Sequence, residues 1–472
     1  MNHRPSSPRL LLATAVAVLA GCASAPDPTP PAPPVAQWHA PLPHGGEPAA
    51  LRDWWSRFDD PLLPALVAEA QQRNPSQQQA LARVTQARAQ LRASSAALWP
   101  TLGLQASVQR QRTELPPPAA STTTSVLGGQ ASWEIDLFGG VRHGLAAARA
   151  RADVSSIAWH DARVSLAADT ALTYVGLRTC EALLGLYVQD AQSQARSAEL
   201  TQRKAGVGFE APAVASLAVA SAAEATNRAV AQRAECDVLI KALVALTATD
   251  EPVLRERLAP GTGRLPQPAA FNVQAVPAAQ LAQRPDIAAA ERELRAAAGD
   301  VGVADALRYP RLSLAGSISL VGLQAGGATQ QGTNWGFGPA LDLALFDAGR
   351  RAANLEAARA RFDEVRAGYE LRVRQAVREV EEALVRLDAA ARRQADAQRA
   401  AEGYQAHFVA TQRRWEVGAG SVIEMEDARR LALAAQAGLL AVQRERVAAW
   451  VGLYRAMGGG WDGRIEVSKG SE

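Results

Sequence analysis

The sequence is short of the side chains that carry out covalent chemistry. It has three cysteines and six histidines in 472 residues. His3 falls in the N-terminal leader, His407 stands alone, and the neighbours His160 and Asp161 point apart on a helix, as two surface residues do. There is no HExxH, Walker loop or GxSxG elbow, and no set of ligands with metal spacing. An enzyme is therefore not expected, nor a metal or a bound cofactor. Aromatics are only 5%, and much of the 48% hydrophobic content is alanine, a composition for thin, closely packed helices and not a bulky globular core. Charge of one sign is also missing: the formal net charge is +3, which gives no argument for nucleic acid.

Long apolar runs are missing too, apart from Leu10–Ala20, which follows Arg4 and Arg9 and is too short for a stable bilayer span. The pattern is that of an export signal. Its end, Leu19-Ala20-Gly21-Cys22, resembles the lipobox of bacterial lipoproteins. That resemblance implies cleavage after residue 21, a covalent N-terminal lipid on Cys22, and, with Ala23 next, delivery to the outer membrane. Without Arg4 and Arg9 the net charge of +3 falls to +1. Residues 22–50, rich in proline and small residues, read as a lipidated flexible linker.

Between Arg350 and Val417 there is no proline and very little glycine, while Ala, Glu, Arg and Leu dominate. These residues cost least in a helix, and about 68 of them would make a rod of roughly 100 Å. Such a rod has to lie beside others.

The chain supplies a second copy of it. Asn74-Pro75 to Trp99-Pro100 corresponds to Arg284-Pro285 to Tyr309-Pro310, an offset of 210 residues at both ends. Leu137-Phe138-Gly139-Gly140-Val141-Arg142 corresponds to Leu345-Phe346-Asp347-Ala348-Gly349-Arg350, and Ala205-Gly206-Val207-Gly208 to Val417-Gly418-Ala419-Gly420. Proline, Phe and Gly-x-Gly markers repeated in one order mean an internal duplication. Each copy reads helix, strand, strand, long helix, turn, helix. The expected division is a signal peptide at 1–21, the linker at 22–50, a first repeat at 51–250, an inter-repeat segment at 251–283, a second repeat at 284–460 and a tail at 461–472.

The strands alternate. Leu102, Leu104, Ala106 and Val108 share a face, as do Trp133, Ile135 and Leu137, then Leu312, Leu314, Gly316, Ile318 and Leu320, then Trp335, Phe337, Leu341, Leu343 and Leu345; small or polar residues fill the other face. Pro339 is expected to interrupt the last strand. Periodicity alone fits two architectures, a four-stranded sheet packed on helices or part of a membrane barrel with lipid outside and water inside. The export signal and the adjoining rods favour a barrel shared by several subunits.

The duplicated plan, the stretch Trp54-Trp55-Ser56-Arg57-Phe58-Asp59-Asp60-Pro61-Leu62, the turn Gly418-Ala419-Gly420 leading into Val422–Ala428, and the ending Leu453–Trp461 together resemble TolC-type outer-membrane factors, in particular the NodT/OprM-like efflux lipoproteins. The resemblance implies an α+β membrane protein with four strands per protomer, a homotrimer closing a 12-stranded β-barrel, a long periplasmic α-helical barrel and a mixed equatorial region. It implies a passive exit duct in outer-membrane lipid for drugs or other small toxic compounds, fed by a periplasmic adaptor and an inner-membrane RND-type pump, with no nucleic acid. A duct for type I protein secretion shares the fold, and a lipid-anchored periplasmic adaptor is the rival of another class.

By the same resemblance, two acidic residues three apart beside the second helix-to-helix turn form a gate ring, which falls here on Glu424 and Asp427, with Glu426 between them. A solvated first helical turn, where acids are favoured by the macrodipole, is the plainer reading. Arg413 and Arg414 lie nearby, as latches or as ordinary surface cations. Cys180 and Cys236 are each about 28 residues from Gly208, one before and one after. An antiparallel helix pair would put them at one height, so a disulfide and two buried thiols both stand as readings.

Overall fold

The computed structural model describes residues 26–29, 54–114, 120–268, 284–461 and 463. The signal peptide, Cys22, most of the linker, part of the inter-repeat segment and most of the tail lie outside the described residues. In chain order the elements are α1 (Leu62–Arg73), α2 (Pro75–Ala96), β1 (Thr101–Thr113), β2 (Ala120–Ile135), α3 (Gly140–Gly206), α4 (Pro212–Thr247), α5 (Glu251–Leu258), α6 (Pro285–Ala306), β3 (Arg311–Ala325), β4 (Ala328–Asp342), α7 (Arg350–Glu416) and α8 (Val422–Ala456). The long helices α3 and α7 have 67 residues each, so the two copies match in length more closely than their sequences suggest. Among the described residues no helix is long and apolar enough to cross a membrane.

The residues group into two compact units. The first holds the sheet and the helical segments 83–96, 140–155, 289–306 and 350–370. The strands run β1-β2-β3-β4, every neighbour antiparallel. The central β2–β3 ladder, from Thr122↔Ala325 to Ile135↔Leu312, joins one repeat to the other. Pro339 stays in strand opposite Leu314. The expected interruption is absent because in an antiparallel ladder each residue turns its N–H towards one neighbouring strand only, so a proline forfeits one bond and leaves the register intact. Leu343 and Leu345, expected to continue the row, fall beyond its end, as Leu137 falls beyond the end of β2.

The register fixes which side chains share a face. Leu104, Gly129, Ile318 and Trp335 line up across the four strands, as do Ala106, Leu127, Leu320 and Thr333. On this face Leu102, Leu104, Val108, Trp335 and Phe337 are all more than 70% exposed. The opposite face carries Gln105, Ser107, Gln130, Ser317, Ser319 and Asn334.

Each long helix starts on an aspartate. Asp136 accepts from the N–H groups of Val141 and Arg142 and from Arg142 Nε; Asp347 accepts from Gly349 N and Arg351 N and pairs with Arg351. The carboxylates satisfy N-terminal donors that have no intrahelical partner. Below the sheet, Leu294, Ala297, Ala298, Val301 and Ala304 pack on Leu355 and Phe362. Gly299 and Gly302 let α6 approach α3, since a Cβ there would sit 2.9 Å from Ala147 and 2.5 Å from the His143 ring.

The second unit holds residues 54–82, 156–268, 284–288 and 371–461. Its core draws on Leu63 and Leu66 of α1, Tyr174 and Leu177 of α3, Ile240 and Leu243 of α4, Leu384 of α7 and Trp450 and Leu453 of α8. The Trp54-Trp55 stretch inserts into it, with Trp54 5.5 Å from Trp450 and Trp55 4.7 Å from Tyr454, ring centre to ring centre. Asp60 accepts from Leu62 N and from the Tyr174 hydroxyl, and that hydroxyl accepts from the buried Arg178 Nε. Helix α1, absent from the expected plan, ends where Asn74 turns extended (φ −65°, ψ 127°) ahead of Pro75, as proline demands of the residue before it.

Candidate gate at the helix turns

Both helix-to-helix turns, from α3 to α4 and from α7 to α8, lie in the second unit. Each closes through a left-handed glycine, Gly208 (φ +82°) and Gly418 (φ +79°), the conformation that ends a helix without a Cβ penalty. Trp415, Val422 and Met425 form a small core here, joined by Val214 and Phe408. Lys204 lies 5.0 Å from the centre of the Trp415 ring, so the two hairpins touch. Arg414 donates to Ala419 O within its own turn at 3.4 Å.

Helix α8 opens on a capping box. Ser421 Oγ accepts from Glu424 N, and Glu424 Oε2 accepts from Ser421 N, which satisfies two otherwise unpaired donors. Glu424 and Asp427 share the exposed face, as a spacing of three requires. Glu426 does not join them. It turns inward to Arg429, 2.7 Å away, and so leaves the set of three acids expected from the sequence. Burial pushes its carboxyl up from the ordinary range; Arg429 opposes this, and Asp190 adds to it.

The structure also brings in partners that the sequence reading missed. Arg430 pairs with Asp427 at 2.8 Å. The buried Arg429 donates to Ser197 Oγ on α3 and lies over the Phe408 ring. Asp190 on α3, its side chain 5% exposed, accepts from Arg228 of α4 and from Gln194. Asp190, Gln194, Arg228, Arg429 and Arg430 line a cleft of about 320 Å³ that also includes Glu224 and Asp427. The Asp427–Arg430 pair is readable as a spacing of three and Asp190–Gln194 as a spacing of four; Asp190–Arg228 and Arg429–Phe408 need a folded hairpin, and Arg429–Ser197 needs the two hairpins docked.

Cys180 on α3 and Cys236 on α4 have Cα atoms 5.6 Å apart and bonded sulfurs, and Gln232 Nε2 donates to Cys180 Sγ. His160 and Asp161 are not the surface residues expected. Both are partly buried; His160 lies against Trp159 and Trp461, and burial, then Asp286, pushes the Asp161 carboxyl up. His407 has its backbone carbonyl engaged by Thr411.

The chain matches the family described as outer membrane efflux protein twice, over residues 66–249 and 276–459. It is 30% identical over 469 residues to the solvent efflux pump outer membrane protein SrpC of Pseudomonas putida, covering 95% of this chain and 97% of that one. It is 31% identical over 467 residues to the outer membrane protein OprJ of Pseudomonas aeruginosa, covering 94% of each. The solved structure of the outer-membrane channel OprN superposes with a TM-score of 0.81 at 27% identity, covering 93% of this chain and 100% of that chain. A duplicated helix–strand–strand–helix plan, an exposed apolar sheet face and paired helical hairpins thus coincide with two family matches, and the chain belongs to the outer membrane efflux protein family, as an outer-membrane channel component of an efflux pump.

Proposed function

We propose that three copies of this chain close one barrel and together form the passive exit duct of a tripartite efflux system. The observation that carries this is the sheet. It has one apolar exposed face, one small or polar face, and two strands, β1 and β4, each with an edge that has no partner strand among the described residues. Open edges with lipid-compatible side chains are unstable alone, and closure removes them. Pairing β4 of one copy with β1 of the next gives twelve strands in three copies, with the apolar row towards lipid and the polar row towards water.

Cys22 carries the covalent lipid in this reading, and several inserted acyl chains hold the chain in the outer membrane. Glu424 and Asp427 of three copies surround the narrow end and attract cations. A periplasmic adaptor and an inner-membrane RND-type pump deliver the cargo, and the duct itself catalyses nothing. Relatives named for solvent, toluene and antibiotic efflux favour small apolar toxicants and drugs over secreted proteins.

The test is reconstitution of the purified full-length protein in planar bilayers, with electrophoresis of unheated and heated samples. Single-channel current and a heat-labile trimer band are expected. A monomer that carries no current would overturn the reading.

A further inference from the structure

The apolar face of the sheet bears charge in one place only. Among the described side chains of the four strands, Glu134, Arg311 and Asp342 fall on the polar face by alternation, and Arg311 lies 3.7 Å from Asp342 there. Arg110 and Arg112 alone continue the row of Leu102, Leu104 and Val108, and both are exposed. They stand near the end of β1 that is joined to β2 by a short connection. The other end of every strand leads to a helix, so the arginines are at the side of the sheet away from the helices.

Their height matters. The apolar row ends at one level across the sheet, where Ser125, Gly322 and Gln331 stand in line with Val108. Arg110 is eight residues and Arg112 ten residues beyond Leu102, roughly 26 and 33 Å along the strand. A barrel tilt of about 40° reduces these to roughly 20 and 25 Å, close to the height of an outer-membrane apolar band. An arginine on the lipid face is costly at mid-bilayer and nearly free at the interface, so the interface is where this pair belongs. Level with Arg110 the neighbouring strands offer Thr123, Gln324 and Thr329, and opposite Arg112 stands Ser121; all are neutral. The one acid nearby is Glu114, just past the strand; one carboxylate against two guanidinium groups leaves a net positive patch.

We propose that Arg110 and Arg112 form a docking site for the phosphate groups of an outer-leaflet glycolipid, a contact that seats the channel on the lipid of the outer surface. This rests on the reading of the apolar face as lipid-facing. The arginines lie roughly 7 Å apart on one face, and each guanidinium presents paired donors that match phosphate oxygens. Residues of the apolar row directly below, Val108 and Leu127, meet the acyl chains of the same molecule.

The experiment uses the full-length oligomer in detergent, with diphosphorylated lipid A as probe and its dephosphorylated form and inorganic phosphate as controls. Binding is read by native mass spectrometry and titration, and channel current is recorded in parallel. Wild type is expected to bind the phosphorylated lipid, with R110Q/R112Q weaker by about fivefold per arginine, about twenty-five-fold in all. R110K/R112K, which keeps the charge, should stay within a few-fold of wild type, and all three proteins should conduct alike. Inorganic phosphate at millimolar concentration should compete only weakly, since it lacks the acyl chains. Equal binding by wild type and R110Q/R112Q, or equal affinity for the dephosphorylated lipid, would overturn the proposal while the current stands. A wild type with neither current nor oligomer would overturn the channel reading beneath it.

Discussion

Arg430 holds Asp427 at 2.8 Å on the exposed side of α8, so one of the two candidate gate carboxylates already carries a counter-charge within its own helix. The ring proposed from three copies is therefore less negative than its acids alone imply. Both partners are largely exposed, and the pair is worth at most about 1 kcal/mol. Its influence falls on ions in the opening and hardly at all on stability. R430A should strengthen block of the reconstituted channel by multivalent cations. E424Q/D427N should weaken it and raise conductance. Glutamine at 424 keeps the capping-box geometry, so a change there reports charge and not a frayed helix. Unchanged block in both variants would leave these acids as a solvated first turn.

The Cys180–Cys236 link closes a loop with a sequence separation of 56. In the chain-entropy account such a loop contributes about 4 kcal/mol by restricting the unfolded chain. Peptide mass spectrometry without reduction should find the two cysteines joined in exported protein. C180S/C236S should lower the denaturation midpoint and leave single-channel current unchanged. Free thiols on both residues would remove the basis of this expectation.

Gly459 sits where no other residue fits well. Its φ is +62°, and a Cβ would lie 2.5 Å from Val164 on α3. G459A should cost about 2–4 kcal/mol from clash and backbone strain together. In a V164A background the same change should cost less, because the contacts with the two Val164 methyl groups at 2.5 and 2.6 Å are gone, while the Val164 Cβ at 3.0 Å and the backbone strain remain. A double-mutant cycle in denaturant measures this, and strict additivity would show that Val164 is not the obstacle.

Glu426 gives a pH dependence with a definite sign. Burial raises its carboxyl above the ordinary 4.5, so in that window the folded protein binds more protons than the unfolded chain. Its contribution to stability is then greatest at or below about pH 4.5 and declines as pH rises through the raised value. The stability difference between wild type and E426Q should move in favour of wild type on acidification from neutrality towards pH 4.5. Thermal unfolding of both proteins across that range checks it. The reverse trend would mean that Arg429 outweighs burial at this site.

Much of the plan could be read from the sequence because it is written in residues with strong backbone preferences. Proline before each first helix, glycine at each turn and strict alternation in each strand mark the duplication without any contact information. Helix α1 was missed because Asn74-Pro75 reads equally well as a first start or as a break between two helices. Glu424 and Asp427 were placed on one face by spacing alone. The inward turn of Glu426 was not, since it depends on Arg429, whose other partner Ser197 lies 232 residues away in sequence. Pairings of that kind follow from how hairpins dock, and no local pattern records them.

The β2–β3 ladder stitches one half of the duplicated chain to the other through fourteen residue pairs. The peptide link between the halves is thus not what keeps them side by side. A gene divided between the codons for residues 268 and 284, with the export signal repeated ahead of the second fragment, should yield two fragments that find each other in the envelope and restore channel current. The seam within a subunit and the seam between subunits would then be the same kind of joint, one of them merely tied by a thread of backbone.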